Sequence, residues 1–239
     1  MIRGIFFDLG GTLLSYKNVN KTTLPILEEA IMRSGKKLNK DKIKAAYRES
    51  SSIIAAQYAT KKYYLHKHFF NDVFLRFLKT LGIDGNTELL SWYANFHREE
   101  MIDCLILKAD CIETLNHLRS KGIYISIVSN IDNDMLNPLL KKENLGSLTD
   151  HTISSETARS CKPDRRIFEI ALEKSTLSPK SIIFVGDSPE HDIGGAKPLG
   201  FKTALITDGG LGPPLQTGKQ VPRADYTIDS LSELTALIK

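Results

Sequence analysis

The sequence predicts an α/β fold: a Rossmann-like parallel sheet core with helices on both faces, plus an inserted α-helical segment. Short apolar runs rich in β-branched and aromatic residues recur along the chain, and amphipathic helical patterns lie between them. One long segment, residues 16–106, shows helical periodicity without a convincing strand pattern. Alternation of strand and helix requires crossover connections, which produce parallel strands covered by helices on both faces.

Six segments have the pattern of buried parallel strands. The first, residues 2–7, runs directly into the sequence DLGGT. Apolar runs that end at glycine or polar residues are typical of strands that are buried on both faces. The other five segments are residues 123–128, 149–154, 181–185, 201–206 and 226–228, of which 149–154 has the weakest pattern.

Helical spacing of apolar residues predicts helices at residues 111–120, 133–143, 165–173, 190–199 and 231–238. In residues 16–106 the same spacing predicts several helices, with a turn at residues 82–85. We therefore expect a core domain of residues 1–15 and 107–239 and a helical cap domain of residues 16–106. The glycine-rich stretch 209–214 lacks the strand-to-helix context of a nucleotide-binding loop and is expected to be a flexible connection.

The composition excludes several classes of function. The net charge is only +4 and no long basic tract occurs, so we expect no nucleic-acid partner. No apolar run approaches the roughly 20 residues of a membrane span, and the N-terminus lacks the pattern of a signal peptide. The three cysteines, Cys104, Cys111 and Cys161, form neither an even disulfide set nor a metal-spaced cluster. A cytoplasmic protein is expected.

Polar residues follow four of the predicted strands. Asp8 follows the first strand, Ser129 the second, Lys162 the weak one and Asp187 the next. Ligands of open parallel sheets bind at the carboxyl ends of the strands. A carboxylate, a hydroxyl, an ammonium group and a second carboxylate are therefore expected at one edge of the sheet.

Each of these groups suits phosphoryl chemistry. A carboxylate can attack phosphorus to form an aspartyl-phosphate, and bound Mg²⁺ offsets the repulsion between the two anions. Asp8 and Asp187 are candidate metal ligands, with Asp192 in a supporting role. Lys162 can offset charge on the nucleophile and on the phosphoryl group. Ser129 and the backbone N–H groups of the glycine turn can donate to phosphoryl oxygens.

Four motifs in order resemble those of the haloacid dehalogenase (HAD) superfamily: DLGGT, a strand ending in SN, KPDRRIF, and GDSPEHDIGGAKPLG. The resemblance covers nearly the whole chain, and it implies a Rossmann-like core, a cap, Mg²⁺ and hydrolysis of a small phosphorylated metabolite. It also implies the role of each matching residue. These are Asp8 as nucleophile, the Gly10 carbonyl with Asp8, Asp187 and Asp192 at the metal, Gly11, Thr12, Ser129 and Asn130 at the phosphate, and Lys162 as the bridging lysine.

Gly10 departs from the family pattern. Phosphatases of this superfamily usually carry a second aspartate at that position, which protonates the leaving group and later activates water. Loss of a general acid–base typically slows a reaction by ~10²–10⁴-fold. We expect Gly10→Asp to raise turnover of alkyl phosphates, provided that the turn accepts the side chain.

The missing aspartate leaves three hypotheses open. The first is a phosphatase. The second is a dehalogenase-like enzyme, or a phosphonate-cleaving enzyme that needs a Schiff-base lysine in the cap. The third is a member that binds a phosphorylated ligand with little turnover. The cap lysines that could form a Schiff base include Lys40, Lys42, Lys44, Lys61 and Lys62.

Three histidines lie near the predicted site. His191 is expected to be exposed, as is usual for a histidine at the start of a helix. His66 and His68, in the predicted cap, are expected to be surface or packing residues.

Overall fold

The computed structural model describes residues 1–207 and 215–238, and its centre is a six-stranded sheet. All pairings in this sheet are parallel, in the order β5-β4-β1-β6-β7-β8. The prediction of a Rossmann-like parallel sheet is therefore confirmed, whereas residues 209–214 lie outside the described part. The strands are β1 (Gly4–Phe7), β4 (Tyr124–Ser129), β5 (His151–Ser154), β6 (Ile182–Gly186), β7 (Lys202–Ile206) and β8 (Tyr226–Ile228).

The central strand β1 is buried at every position because helices cover both faces of the sheet. Alternate side chains point to opposite faces of a strand. Ile5 and Phe7 accordingly belong to one apolar cluster, whereas Phe6 joins Phe168 and Phe184 in another. Two apolar clusters, one on each face of the sheet, therefore fix the position of β1 and of Asp8, which follows it.

Helices surround this sheet much as the sequence predicts. They are α5 (Cys111–Ser120), α6 (Asn133–Lys142), α7 (Ser155–Ala158), α8 (Arg165–Ser175), α9 (Gly194–Ala196) and α10 (Leu234–Leu237), with 3₁₀ turns at Leu145–Ser147, Pro179–Ser181, Lys197–Leu199 and Leu231–Glu233. The short helix α7 is an element that the sequence pattern did not predict. Residues 190–199 do not form one continuous α-helix. A π-helical turn at Pro189–Ile193 leads into α9 and then into a 3₁₀ turn, because prolines and two adjacent glycines interrupt regular hydrogen bonding.

Four long helices follow β1 in the sequence and precede the remaining elements of the core. We call them the helical insert: α1 (Val19–Arg33), α2 (Lys40–Tyr58), α3 (His66–Thr80) and α4 (Thr87–Cys104). The insert has its own apolar cluster, in which the rings of Phe74 and Tyr93 stack with centroids 3.7 Å apart. No helix in residues 1–207 and 215–238 is long and apolar enough to cross a membrane.

A two-stranded antiparallel ribbon joins the insert to the core. Its strands are β2 (Leu14–Ser15) and β3 (Ile106–Leu107). Ile106 falls in the segment that was expected to contain no strand, so that expectation was wrong at its last residue. Strands of two residues carry no detectable alternation of apolar and polar side chains, and for this reason the pattern missed them.

The core caps a helix of the insert. Helix α3 has no side-chain cap of its own. The carboxylate of Asp132, which follows β4, accepts hydrogen bonds from the backbone N–H groups of His66 and Lys67, both at 2.8 Å. Burial raises the pKa of Asp132, but the nearby His66 side chain, 3.6 Å away, and the hydrogen bonds from these two N–H groups outweigh burial, so the pKa is lowered. The ionised carboxylate therefore fastens the insert to the core.

Asp132→Ala should lower the free energy of unfolding at neutral pH by about 1–2 kcal/mol, the usual contribution of a helix cap. A carboxyl group with a lowered folded-state pKa stabilises the protein above its unfolded-state pKa. That contribution is lost as the pH falls through the folded-state value. The difference between wild type and variant, measured by urea denaturation, should therefore shrink in acid.

Asp134→Ala is the matched control for this prediction. Asp134 lies two residues away and reaches only the Lys67 ammonium, at 3.5 Å and partly exposed to solvent. Exposed pairs of this kind contribute little to stability. Equal destabilisation by the two substitutions would show that Asp132 does not act as a cap.

Candidate active site

Side chains from several strand ends meet at the carboxyl edge of the sheet. Because β1 pairs with both β4 and β6, Asp8 lies between Ser129 at the end of β4 and Asp187 after β6. Lys162, beyond β5, and Asp192, in the π-helical turn, line the same cavity as these three residues. The structure thus brings together five of the residues that the sequence placed in one site.

Lys162 lies between two carboxylates. Its Nζ is 2.6 Å from Asp8 Oδ1 and 2.7 Å from Asp192 Oδ1, and all three side chains are buried. Burial lowers the pKa of the lysine, but the charges of Asp192 and Asp8 outweigh burial, so the pKa is raised. Lys162 is therefore a permanent cation that holds the predicted nucleophile by one oxygen and leaves Asp8 Oδ2 without a bond to the lysine.

Asn130 binds the backbone of Lys162. Its Oδ1 accepts from the backbone N–H of Lys162 at 2.6 Å, and its Nδ2 donates to the Lys162 carbonyl at 3.0 Å. Both ends of the side-chain amide are therefore bonded to the backbone of the lysine. This geometry positions Lys162. The contact of Asn130 with phosphate that the resemblance implies stays a prediction, and Asn130 lines the cavity.

Gly11 and Thr12, which the resemblance also assigns to phosphate, lie in the turn after Asp8. Thr12 is fully buried, and its hydroxyl has no hydrogen-bond partner in residues 1–207 and 215–238. Gly11 has a φ of +76°, and a β-carbon there would overlap the carboxylate of Asp187. Only glycine combines this backbone conformation with that close approach, so Gly11 makes room for the third carboxylate of the site.

The three carboxylates form a candidate metal site. One oxygen from each of Asp8, Asp187 and Asp192 lies within 4.8 Å of the others. Oxygens on opposite sides of a bound Mg²⁺ lie roughly 4 Å apart, so these residues fit one divalent cation with little rearrangement. Within the described ranges Asp187 forms no ion pair of its own, and burial together with the charges of Asp8 and Asp192 raises its pKa. Three carboxylates facing one ammonium group leave an excess of negative charge.

Tyr16 fills the space beside Gly10. A β-carbon on Gly10 would overlap the phenol oxygen of Tyr16, although the φ of Gly10 is not in the left-handed region. The obstacle to an aspartate at residue 10 is therefore a neighbouring side chain rather than the backbone. Burial and the charge of Asp8 raise the pKa of Tyr16, so the phenol keeps its proton next to the carboxylates.

No sequence signal pointed to Tyr16. The chain doubles back after Asp8 through hydrogen bonds from the N–H of Gly11 to the carbonyl of Leu14 at 2.7 Å and from the N–H of Leu14 to the carbonyl of Leu9 at 2.8 Å. This turn and the unpredicted ribbon β2–β3 bring Tyr16 back to the site.

The whole cavity has a volume of about 270 Å³. Away from the charged residues, its wall is formed mainly by the helical insert and is largely apolar. Burial lowers the pKa of His97 and of His191 to about 4, so both imidazoles are neutral at neutral pH. His191 was expected to be exposed but is half-buried in the cavity wall, which makes that expectation wrong. Helix α6 adds Met135 to the wall, and the insert contributes the apolar residues Val19, Phe69, Phe70 and Met101 and the polar residues Thr23, Tyr47, His66 and His97.

Comparison with known proteins identifies the family. The family model of the haloacid dehalogenase-like hydrolases matches residues 2–200. This chain belongs to that family.

Relatives of this HAD-like hydrolase include two kinds of enzyme. The chain is 28% identical to (S)-2-haloacid dehalogenase 4A of Burkholderia cepacia, over 99% of this chain and 95% of the relative. It is 26% identical to the glyceraldehyde 3-phosphate phosphatase of Methanocaldococcus jannaschii, over 100% and 98%. A solved structure of the HAD-hydrolase YfnB from Bacillus subtilis, bound to magnesium, superposes with a TM-score of 0.76 at 20% identity, covering 100% and 99%. That likeness shows the fold, and the similarities as a whole do not choose between dehalogenation and phosphate hydrolysis.

Asp187→Asn should raise the thermal midpoint of the metal-free HAD-like hydrolase by at least about 2 °C, since roughly 1 kcal/mol corresponds to about 2–4 °C in a chain of this size. A carboxyl group with a raised folded-state pKa destabilises the protein at neutral pH. The uncharged amide of asparagine removes the cost of burying the charge of Asp187 beside Asp8 and Asp192. The same variant should lose the stabilisation that Mg²⁺ gives to wild type. Thermal unfolding with chelator and with Mg²⁺ measures both effects.

Asp225→Asn is the control of opposite sign. Burial raises the pKa of Asp225, but hydrogen bonds from Lys197 and Thr203 outweigh burial, so the pKa is lowered. This substitution should lower the midpoint and leave the Mg²⁺ response intact. A Mg²⁺ response that survives Asp187→Asn would remove Asp187 from the metal site.

Proposed function

We propose that this protein is a Mg²⁺-dependent phosphatase that hydrolyses small phosphate monoesters through an aspartyl-phosphate on Asp8. The observation that carries the proposal is the carboxylate of Asp187, which lies beside Asp8 without an ion pair of its own in the described chain. Attack of a carboxylate on an anionic phosphoryl group requires that such negative charge be offset by a cation. Displacement of a halide by a carboxylate has no such requirement.

The reaction follows from the contacts of Asp8. Lys162 holds Oδ1, and Oδ2 attacks phosphorus while the bond between phosphorus and the ester oxygen breaks. Water then hydrolyses the aspartyl-phosphate, which releases phosphate and restores the carboxylate. Ser129 and backbone N–H groups of the turn at Gly10 and Gly11 donate to the phosphoryl oxygens.

The candidate metal ligands are Asp8, Asp187 and the Gly10 carbonyl, with Asp192 behind them. Mg²⁺ bound there neutralises charge on the nucleophile and on the phosphoryl group. The phenol of Tyr16 occupies the place of the missing aspartate and offers an O–H donor to the departing oxygen. Because the raised pKa keeps Tyr16 protonated, the phenol does not act as a base toward water.

The helical insert acts as the cap in this proposal, so the division into a core of residues 1–15 and 107–239 and a cap of residues 16–106 is part of it. Its supporting observation is the cavity wall, to which helices α1, α3 and α4 contribute side chains. The hydrogen bonds from α3 to Asp132 hold the insert over the strand ends.

The alternative hydrolases fit the cavity less well. A 2-haloacid carries a carboxylate, and among the described residues lining the cavity the only lysine or arginine is Lys162, which already pairs with Asp8 and Asp192. A phosphonate-cleaving enzyme needs a cap lysine within the site. None of the five candidate lysines lines the cavity, namely Lys40, Lys42, Lys44, Lys61 and Lys62.

Asp8→Asn should reduce turnover of 4-nitrophenyl phosphate by at least about 1,000-fold, because loss of a nucleophile removes most of the catalysis. Exhaustive chelation of wild type should also abolish turnover, and Mg²⁺ should restore it. The measurement is the release of nitrophenolate, with Asp134→Asn as the control because Asp134 lies outside the site.

Two results would contradict the proposed function. One is full phosphatase activity after chelation. The other is metal-independent release of chloride from 2-chloropropionate, which would favour dehalogenation. A folded protein that binds phosphate but turns over none of these compounds would support the ligand-binding hypothesis.

Gly10→Asp alone should not raise turnover of an alkyl phosphate, in contrast to the expectation from sequence, because the new side chain overlaps Tyr16. Overpacking of this kind typically costs about 1–3 kcal/mol. The double variant Gly10→Asp with Tyr16→Ala has room for the carboxylate. It should exceed Tyr16→Ala alone by more than about tenfold on an alkyl phosphate, a fraction of the usual acid–base contribution.

Steady-state kinetics with 4-nitrophenyl phosphate and an alkyl phosphate test this prediction. The gain should be smaller for 4-nitrophenyl phosphate, whose leaving group is a stable anion. A gain from Gly10→Asp alone, in a folded protein, would show that Tyr16 moves aside without cost.

A further inference from the structure

We propose that the natural substrate is a phosphate monoester whose leaving group is uncharged and apolar, with a size close to one aromatic ring. This inference rests on the proposed phosphatase function and concerns the part of the cavity that is lined by the helical insert. That part has three properties from which the substrate class follows: an aromatic wall, neutral charge and small volume.

The wall is built from aromatic side chains that support one another. The ring of Phe70 is half-buried in α3 and lies with its centroid 5.3 Å from Phe69 and 4.8 Å from the imidazole of His97. His97 in turn stacks at 5.2 Å on Tyr93, which belongs to the apolar cluster of the insert. A planar apolar group placed against Phe70 would therefore meet a surface that is already held in position, so its binding needs little reordering of the protein.

The wall offers no lysine or arginine as a counter-charge, and its histidine nearest to a carboxylate, His66, already faces Asp132, with Nδ1 3.6 Å from Oδ1. Apart from Lys162 and the carboxylates of Asp8, Asp187 and Asp192, no lysine, arginine, aspartate or glutamate among the described residues lines the cavity. The imidazole of His97 is neutral at neutral pH because burial lowers its pKa to about 4. A second phosphate or a carboxylate on the substrate would be desolvated here without a partner, which carries a large energetic penalty. Bisphosphates, nucleotides and sugar acids are therefore disfavoured.

Hydroxyl-rich leaving groups also fit poorly. The insert places four polar side chains at the cavity, Thr23, Tyr47, His66 and His97, but the surface of the cavity is largely apolar and the Thr23 hydroxyl already donates to the Val19 carbonyl at 2.8 Å. Most sugar hydroxyls would therefore lose their hydrogen bonds to water without replacement. The cavity volume of about 270 Å³ must also hold the phosphoryl group. It lies just below the usual range for ligand pockets, roughly 300–1,000 Å³, which favours a small leaving group.

The first test compares esters of primary alcohols that differ in polarity. Benzyl phosphate, 4-carboxybenzyl phosphate and glucose 6-phosphate are assayed with wild type and Mg²⁺, and acetyl phosphate serves as a small substrate with little to place against the wall. We expect kcat/KM for benzyl phosphate to exceed that for the other two esters by at least about tenfold, a typical discrimination for an apolar pocket.

The outcomes separate the two levels of the proposal. Turnover of acetyl phosphate with equal or better use of glucose 6-phosphate or 4-carboxybenzyl phosphate would overturn the substrate class and leave the phosphatase function standing. Absence of Mg²⁺-dependent turnover of all four compounds would overturn both.

The second test alters the wall itself. Phe70→Ala should lower the ratio of kcat/KM for benzyl phosphate to that for acetyl phosphate by at least about tenfold, mainly through KM. Phe70→Arg should shift preference toward 4-carboxybenzyl phosphate, because it supplies the missing counter-charge. Phe96→Ala is the matched control, since the ring of Phe96 packs on Trp92 in the same insert and does not line the cavity.

Thermal unfolding confirms that each variant is folded before its kinetics are compared. An unchanged substrate ratio in both Phe70 variants, or an equal change in Phe96→Ala, would show that Phe70 does not contact the leaving group and would overturn the proposal.

Discussion

The buried ammonium group of Lys162 is the interaction on which the rest of the site depends. It holds Asp8 from β1 and Asp192 from the π-helical turn, and without it two buried carboxylates would face each other uncompensated. Breaking a buried ion pair by removing one partner typically destabilises a protein by about 3–5 kcal/mol. Asn130 binds the lysine through both ends of its side-chain amide, so the position of the cation is set by β4. Three separate segments of the sheet edge are thereby fixed relative to one another through one charge.

One lysine is enough for two of the carboxylates but not for the third. Asp187 fits beside the turn because Gly11 has no β-carbon, and burial together with the charges of Asp8 and Asp192 raises its pKa. A protein that keeps such a carboxylate in the absence of a metal gains no stability from it. In the proposed function this negative charge forms one side of a divalent-cation site, and binding of the cation would offset the repulsion.

The sequence predicted the parts of this site that depend on strand order. The apolar runs located all six strands of the sheet, and the polar residues after them reached one edge because parallel strands end on the same side. Tyr16 and the contacts of Asn130 were not predictable in this way. Tyr16 reaches Gly10 through a tight turn and strands of two residues, which leave no periodic signal. The contacts of Asn130 depend on the path of another segment, which residue spacing does not encode. Family resemblance implied a phosphate ligand for Asn130, and the structure adds its two hydrogen bonds to the backbone of Lys162.

The loop after β4 connects the charged end of the cavity to its apolar wall. Ser129 lines the cavity, Asn130 holds Lys162, and Asp132 caps the helix that carries Phe70, all within four residues. A hydrogen bond to the core also holds this loop, since the N–H of Ile131 donates to Ser155 Oγ at 3.1 Å. This segment therefore contributes to the distance between the nucleophile and the aromatic wall. The β2–β3 ribbon contributes as well, as do the bonds from the Lys142 ammonium group in α6 to carbonyls at the end of α4. Binding of a substrate that contacts both Asp8 and the aromatic wall therefore depends on the conformation of this loop. Movement of the insert would change the position of the wall, whereas Lys162 and Asp8 remain anchored to the sheet.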